Sequence, residues 1–283
     1  MKVSKKIISL LLCVLFIASC FAGCSSSDGE KYSDKTVIIG YTENAAPFIE
    51  VDKNGKATGF EADLWKNIFD DVKGELENYR FEKVEEGYAL EEDGGFFDSK
   101  DKEYSAALLI GAVSKNDGTF NEDYSFTEPI ITNRVITVTA KSSKVKAYTD
   151  FAGANVIVVS DAAKQAFDKN SAISSVCKKV TQSDNIDEAL AALDSGKADA
   201  VVTDEFNYMP SGKTDNYVTL EGELDAIEYV IACAKHSGWK DSINEAIREQ
   251  ESKDYGDGDT FTPLVEKYFG YNASSFDYQP ANE

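Results

Sequence analysis

The spacing of apolar residues along the chain predicts strands and helices in alternation. An apolar, β-branched run at residues 37–39 is typical of a short buried strand. Residues 48–51 and the Asn54-Gly55 pair after them predict a hairpin, because this pair tolerates positive φ angles. Between Phe60 and Val72 the apolar residues recur at helical spacing, which indicates an amphipathic helix packed on a sheet.

The alternation continues through the rest of the chain. Strands are predicted at residues 104–113, 135–140, 156–159, 200–203 and 228–234, and helices at 162–167, 186–193, 239–247 and 264–269. Asp184 is placed to cap the helix at 186–193, and Gly196 ends it. Residues 82–102 show little periodicity and predict an irregular insertion or a weak strand with a loop. The alternation as a whole predicts an α/β fold with parallel sheets.

The N-terminal segment has the pattern of a secretion signal. Lys2, Lys5 and Lys6 precede an apolar run at residues 7–18. That run is about half as long as a comfortable membrane span. We therefore expect residues 1–23 to be a signal peptide that is removed.

The signal ends in a cysteine motif. Phe21-Ala22-Gly23-Cys24 resembles the bacterial lipobox, which implies that Cys24 carries a lipid and that residues 24–34 are a flexible polar tether. Cys20 is the alternative anchor, after Ile17-Ala18-Ser19. The expected location is the outer face of the cytoplasmic membrane, where the globular part is held by its lipid anchor.

Charge narrows the classes of partner. The chain has 283 residues and a formal net charge of −21, and removal of the three signal lysines makes the charge −24. So acidic a chain, without a basic stripe, repels nucleic acid. No nucleic-acid partner is therefore expected.

Residues suited to metal, cofactor or catalytic chemistry are sparse. His236 is the single histidine, and neither a Cys-x-x-Cys nor a His-Glu-x-x-His spacing occurs. Nucleophile-elbow, Walker and dinucleotide motifs do not occur either, so we expect no metal, no cofactor and no enzyme activity. Cys177 and Cys233 remain in the globular part, and we expect them to be buried free thiols rather than a disulfide.

Several motifs, in their order and spacing, resemble the family 3 extracellular solute-binding proteins, which feed polar amino acids to ABC importers. The motifs span nearly the whole mature chain. They are Ala46-Pro47-Phe48, Asn54-Gly55, Gly59-Phe60-Glu61-Ala62-Asp63-Leu64, Ser125-Phe126-Thr127-Glu128-Pro129, Asp150-Phe151-Ala152-Gly153, Gly196-Lys197-Ala198-Asp199-Ala200-Val201-Val202-Thr203-Asp204-Glu205, Tyr229-Val230-Ile231-Ala232 and Glu266-Lys267-Tyr268-Phe269-Gly270.

The resemblance implies an α/β fold of the two-lobed, periplasmic-binding-protein-like type 2 class, with a hinge and an interlobe cleft. Lobe 1 would comprise residues 35–133 and 231–283, and lobe 2 residues 134–230. The implied function is that of a monomer that captures a small polar solute in the cleft and delivers it to the transmembrane subunits of an ABC permease. Contacts from both lobes would favour the closed state, and no bond would be made or broken.

The resemblance carries over to several ligand-binding positions. Asp204 stands where the family's acidic residue accepts hydrogen bonds from a substrate ammonium, and a plain acid at a strand end is its alternative role. Ser114 lies close to a family hydroxyl position. Tyr41 and Thr42 lie near the place of the family's stacking aromatic, which is Ala45 in this chain.

Two departures from the family pattern bear on the ligand. Phe120 takes the place of the arginine that clamps a substrate carboxylate, and Lys115 is either a point-charge replacement or a solvated loop residue. Asp161 brings an acid to a turn that usually carries hydroxyls, with helix N-cap as its alternative role. With Asp161 and Asp204 facing the cleft, the sequence favours a cationic or neutral, amine-bearing ligand over a standard free amino acid.

Two other functions stay open. The missing arginine also fits a receptor that has lost transport and that signals or docks to a partner. The same fold serves cyclohexadienyl dehydratases, but these also hold a carboxylated substrate, so the missing clamp disfavours that chemistry.

Overall fold

The computed structural model describes residues 36–84, 96–97, 103–104, 108–114, 124–235, 237–252 and 258–275. All of them belong to one compact unit, Thr36–Glu283. The helices are α1 (Phe60–Val72), α2 (Asp161–Lys169), α3 (Ser171–Ser174), α4 (Ile186–Asp194), α5 (Glu205–Tyr208), α6 (Trp239–Glu251) and α7 (Phe261–Phe269). Among the described residues, no helix combines the length and the apolar character needed to cross a membrane.

The strands form two large sheets and two small hairpins. Their bounds are β1 (Thr36–Tyr41), β2 (Glu50–Val51), β3 (Ala57–Thr58), β4 (Asn78–Lys83), β5 (Phe96–Phe97), β6 (Glu103–Tyr104), β7 (Leu108–Ile110), β8 (Tyr124–Phe126), β9 (Ile131–Ala140), β10 (Asn155–Val159), β11 (Lys179–Ser183), β12 (Ala200–Asp204), β13 (Tyr217–Thr219), β14 (Asp225–Tyr229) and β15 (Ala232–Ala234). The first sheet has the order β4-β1-β7-β15-β8, and the second has the order β11-β10-β12-β9-β13, with β14 also on β9. The hairpins pair β2 with β3 and β5 with β6.

Each large sheet has its own apolar layer. Helices α1, α6 and α7 cover the first sheet, and Trp65 in α1 is fully buried there. In the second sheet α2 covers one face, where Phe167 is buried, and α4 covers the other, where Leu190 is buried. The first sheet therefore has one core and the second sheet has a core on each face, and the cores of the two sheets are separate.

The chain passes between the sheets twice. It leaves the first sheet after β8 and enters the second at β9, and it returns between β14 and β15. The two crossing segments bond to each other: Thr127 N donates to Ile231 O at 3.0 Å, and Ile231 N donates to Thr127 Oγ1 at 2.9 Å. This double crossover is the connection between the sheets.

Some sequence predictions need correction. Both sheets are mixed rather than parallel, because β9 runs antiparallel to β12 and β15 runs antiparallel to β7. The single strand predicted at residues 228–234 is two strands, one in each sheet. Asn185, not Asp184, caps α4, because its side chain accepts from the backbone N–H groups of Asp187 and Glu188.

Strands β4, β8, β11 and β13 were not predicted as such. Strand β11 was missed, because four of its five residues are exposed and its sequence does not alternate. Strand β4 begins before the segment that was predicted as irregular. Residues 85–95 and 98–102 of that segment lie outside the described residues.

Candidate functional site

The predicted site residues Tyr41 and Thr42 lie at the carboxyl end of β1. Tyr41 is 7% exposed and packs in the first core, and burial, followed by the nearby Glu82 carboxylate, raises the pKa of its hydroxyl. Thr42 is half-buried. Ligands of α/β sheets bind at this edge, but a ring so deeply packed offers them little surface.

Ser114 lies at the double crossover. It forms an isolated antiparallel bridge with Tyr229, and the N–H of Val230 donates to the carbonyl of Val113 at 2.9 Å. The half-buried Ser114 is thereby fixed beside the end of β14.

Asp204 is buried at the end of β12 and sits in a dense hydrogen-bond network. Its Oδ1 accepts from Asn207 N at 3.1 Å and from Asn133 Nδ2 at 3.4 Å. Its Oδ2 accepts from Ser160 Oγ at 2.6 Å and from Asn207 Nδ2 at 2.9 Å. These four contacts match the roughly four acceptor positions of a carboxylate. The side chain also caps α5, so it is more than a plain strand-end acid.

Asp161 is the first residue of α2, and its alternative role as the N-cap is wrong. Ser160 is the N-cap, with φ of 84°, and its Oγ accepts from Ala163 N at 3.2 Å. Asp161 is exposed, and its Oδ1 accepts from Gln182 Nε2 at 3.1 Å. The turn therefore uses its hydroxyl internally, while the extra acid faces outward.

Several residues that carried sequence predictions lie outside the described part of the chain, among them the alternative anchor Cys20 and Phe120. The lipidation candidate Cys24, the predicted ligand contact Lys115 and the single histidine, His236, lie there too. The prediction of free thiols is confirmed for Cys177 and Cys233. Cys233 is fully buried, and burial raises the pKa of its thiol to about 12, whereas Cys177 is half-buried.

A cavity of about 350 Å³ lies beside the crossover, a volume in the range of small-molecule pockets. Its lining residues are Ser114, Val135, Ala162, Gln165, Lys169, Asp225, Ala226 and Ile227. Ser114 comes from the segment after β7, whereas the others come from α2, β9 and β14 of the second sheet. Of the predicted site residues that the structure describes, Ser114 lines this cavity, and Tyr41, Thr42, Asp161 and Asp204 do not.

Strand register places Val135, which lines the cavity, directly beside Asp204. Val135 pairs with Asp204 on one side and with Asp225 on the other. Directly opposed residues in antiparallel strands project to the same face of a sheet. The two carboxylates therefore flank Val135 in one row across β12, β9 and β14.

Sequence reasoning missed the polar groups that line this cavity, Gln165, Lys169 and Asp225. Ala162, Gln165 and Lys169 recur at helical spacing, which places them on one side of α2 and could have indicated a lining stripe. No comparable signal marks Asp225, because β14 was predicted to begin at residue 228. Within the described residues, no group of three or more His, Cys, Asp or Glu side chains is arranged to hold a metal ion.

An aromatic contact also joins the sheets. Phe206 of α5 packs against Phe48 and Phe269 of the first core, with ring centroids 6.0 and 5.0 Å apart. It stacks on Tyr229 at 5.8 Å and 13°. Phe206, which follows Asp204 and Glu205, thus packs helix α5 of the second sheet against the first core.

Comparison with known proteins gives the fold and one similar curated protein. No protein-family model matches the chain. The ABC transporter glutamine-binding protein GlnH of Bacillus subtilis (strain 168) is 25% identical over 267 residues, which cover 88% of this chain and 93% of the relative.

Two solved structures are similar over most of their length. A polar amino acid ABC uptake transporter substrate-binding protein from Streptococcus thermophilus has 22% identity and a TM-score of 0.61, over 86% of this chain and 89% of its own. The unliganded, open L-cystine solute receptor of Neisseria gonorrhoeae has 18% identity and a TM-score of 0.59, over 85% and 96%. These likenesses agree with the motif resemblance: the chain has the two-lobed periplasmic-binding-protein type 2 fold, and its sequence is similar to that of an ABC transporter glutamine-binding protein.

Proposed function

We propose that this chain is the substrate-binding lipoprotein of an ABC importer. It captures a small polar solute, an amino acid or another amine-bearing compound, between its two sheets and presents it to a permease. The observation that carries the proposal is the cavity at the double crossover, because Ser114, from the segment after β7 of the first sheet, lines it together with residues of the second sheet. The relative from Bacillus subtilis, a glutamine-binding protein of an ABC transporter, supports the same class of function.

The crossover supports a hinged mechanism. Two short segments join the sheets, and a ligand that contacts both sheets favours the closed state over the open one. We place the lobe boundaries at 133/134 and 230/231, next to these crossings. Lobe 1 is then residues 35–133 and 231–283, and lobe 2 is residues 134–230.

Asp204 remains our candidate acceptor for a ligand ammonium. Because its oxygens already receive four hydrogen bonds, an ammonium would replace the longest of them, the 3.4 Å contact from Asn133 Nδ2. Alanine at this position would also remove the cap of α5, at a cost of about 1 kcal/mol. Asp204→Asn is therefore the better test of binding, since it keeps the shape of the side chain.

Cys24 is proposed as the lipid anchor and the outer face of the cytoplasmic membrane as the location. The lipobox-like motif before Cys24 supports this assignment. Membrane fractionation of cells that express the full chain tests it: Cys24→Ser should release the protein from the membrane, and Cys20→Ser should not. Retention of the Cys24→Ser variant would overturn the assignment.

Thermal unfolding of residues 25–283 tests the binding function. Amino acids, amines, polyamines, short peptides and sugars are added separately, and a ligand of the native state raises the midpoint. We expect a rise with an amino acid or amine, equivalent to about 2.7 kcal/mol when the ligand is present at 100 times its Kd. An unchanged midpoint with every class would contradict a solute-binding role.

A further inference from the structure

The cavity holds a cation that the sequence did not lead us to expect. Lys169 Nζ lies 3.6 Å from Asp225 Oδ2, and the two side chains are 73% and 41% exposed. Both line the cavity at the double crossover. Without an arginine clamp, the sequence offered no firm partner for a ligand carboxylate, and Lys169 provides one.

This ion pair can open for a ligand at little cost. A separation of 3.6 Å is longer than a good hydrogen bond, and exposed pairs contribute only about 0–1 kcal/mol to stability. A ligand carboxylate could therefore pair with Lys169, and a ligand ammonium could pair with Asp225, with little loss of folding stability. The ligand would then replace one intramolecular pair by two pairs of its own.

The spacing of the lining groups suits a ligand of amino-acid size. Ala162 and Lys169 are seven residues apart on α2, which at 1.5 Å per residue is about 10 Å. The cavity is also lined by Gln165, which lies between them on α2, and by Ser114. Val135, Ile227 and two alanines supply the apolar surface. Neutral hydrogen-bonding groups in that middle position suit a short, uncharged polar side chain.

Charge excludes other ligand classes. A polyamine would bring a second positive charge toward Lys169, and a dicarboxylate would bring a second negative charge toward Asp225. In either case one member of the pair would face a like charge, which is unfavourable. A zwitterion satisfies both members.

We propose that this cavity is a zwitterion subsite in which Lys169 binds the carboxylate and Asp225 the ammonium of a small amino acid with an uncharged polar side chain. The proposal rests on the proposed function, whose ligand class it narrows. It gives the carboxylate a different partner from the family's arginine, and it makes Asp225, which lines the cavity, the alternative to Asp204 as the acceptor of the ammonium.

Calorimetric titration of residues 25–283 tests the subsite with two matched sets of probes. The first set is L-glutamine, 4-aminobutanamide, which lacks the carboxylate, and glutaramic acid, which lacks the ammonium. The second set is L-serine, ethanolamine and 3-hydroxypropanoate. We expect the wild-type chain to bind at least one of the two amino acids at least tenfold more tightly than either of its analogues.

Two variants test which residue binds the carboxylate of the ligand and which binds its ammonium. Lys169→Met should weaken binding of the amino acid at least tenfold and leave binding of the amine analogue unchanged. Asp225→Asn should weaken binding of the amino acid and leave binding of the acid analogue unchanged. Exposed residues away from the cavity serve as matched controls: Lys179→Met and Asp184→Asn should bind as the wild type does.

The failures are distinguishable. If an amino acid binds and the Lys169 and Asp225 variants behave like their controls, the subsite is wrong and the proposed function stands. If the chain binds an amine, peptide or sugar but neither amino acid, the zwitterion class is wrong and solute binding stands. If nothing binds in this titration or in the thermal screen, both proposals fall.

Discussion

Glu61 is a fully buried carboxyl group in the first turn of α1. It is 1% exposed, and its Oε2 accepts from the N–H of Gly111 at 2.8 Å. Burial raises its pKa to about 8, although hydrogen bonds from the N–H groups of Gly111 and Ala112 act in the opposite direction. Gly111 and Ala112 have φ of 103° and 57° and lead to Ser114. Glu61 thus braces the segment that brings Ser114 to the cavity.

The pKa of Glu61 makes stability depend on pH. The folded pKa of about 8 lies above the unfolded value of 4.5, so between these pH values the folded state holds a proton that the unfolded state lacks. The contribution of Glu61 to the free energy of unfolding therefore falls as pH rises from 4.5 to 8, by about 1 kcal/mol per pH unit.

Glu61→Gln should flatten that slope, because the amide does not titrate. Urea denaturation at pH 5, 6.5 and 8 measures it, with the exposed Glu75→Gln as the matched control. Equal slopes in wild type and Glu61→Gln would contradict this account of Glu61.

At the residue scale, positions were easier to predict than partners. The motif placed Asp204 at the end of a strand, where it lies. Its partners Asn133 and Ser160 come from 71 and 44 residues away, so their contacts depend on the tertiary fold. The same holds for Lys169 and Asp225, which are 56 residues apart in sequence and meet because β14 returns beside β9.

At the element scale, the junction before α1 depends on a glycine. Gly59 has φ of 115°, and a Cβ there would lie 2.4 Å from the carbonyl oxygen of Phe48. The hairpin from Phe48 therefore packs against the start of α1 without room for a side chain. Only glycine meets both demands at this position.

Gly59→Ala should destabilise the chain by about 3 kcal/mol or more, because backbone strain and a clash with main-chain atoms add. Gly55→Ala is the matched control, since Gly55 has φ of 78° with open space around it and should lose only about 1–2 kcal/mol. Chemical denaturation of both variants makes the comparison. Equal losses would mean that the close approach to Phe48 is unimportant.

Elements with a buried, periodic face were predictable, and exposed ones were not. Helix α1 buries eight of its thirteen residues in one pattern, so its bounds followed from the sequence. Strand β11 is an exposed edge strand without apolar alternation, and β4 at the other sheet's edge is only half-buried, with a short alternation of two apolar residues, Tyr79 and Phe81. The break between β14 and β15 was hidden because Val230 and Ile231 are buried and continue the apolar run across the crossing.

At the scale of the whole molecule, the two-lobed class came from the order of motifs rather than from periodicity. Alternation alone predicted parallel sheets, and this was wrong because strands β9 and β15 reverse the direction in their sheets. Both reversals accompany the double crossover. The double crossover makes the fold two-lobed, and local sequence patterns did not predict it.

The central claim is that a solute is held between the two sheets and closes them. Small-angle X-ray scattering of residues 25–283, with and without the compound that gives the largest thermal shift, tests this claim most directly. We predict that the radius of gyration falls at saturating ligand toward the roughly 18 Å expected of a compact chain of this length. A scattering profile that stays the same when the ligand is bound would contradict capture by closure of the two lobes.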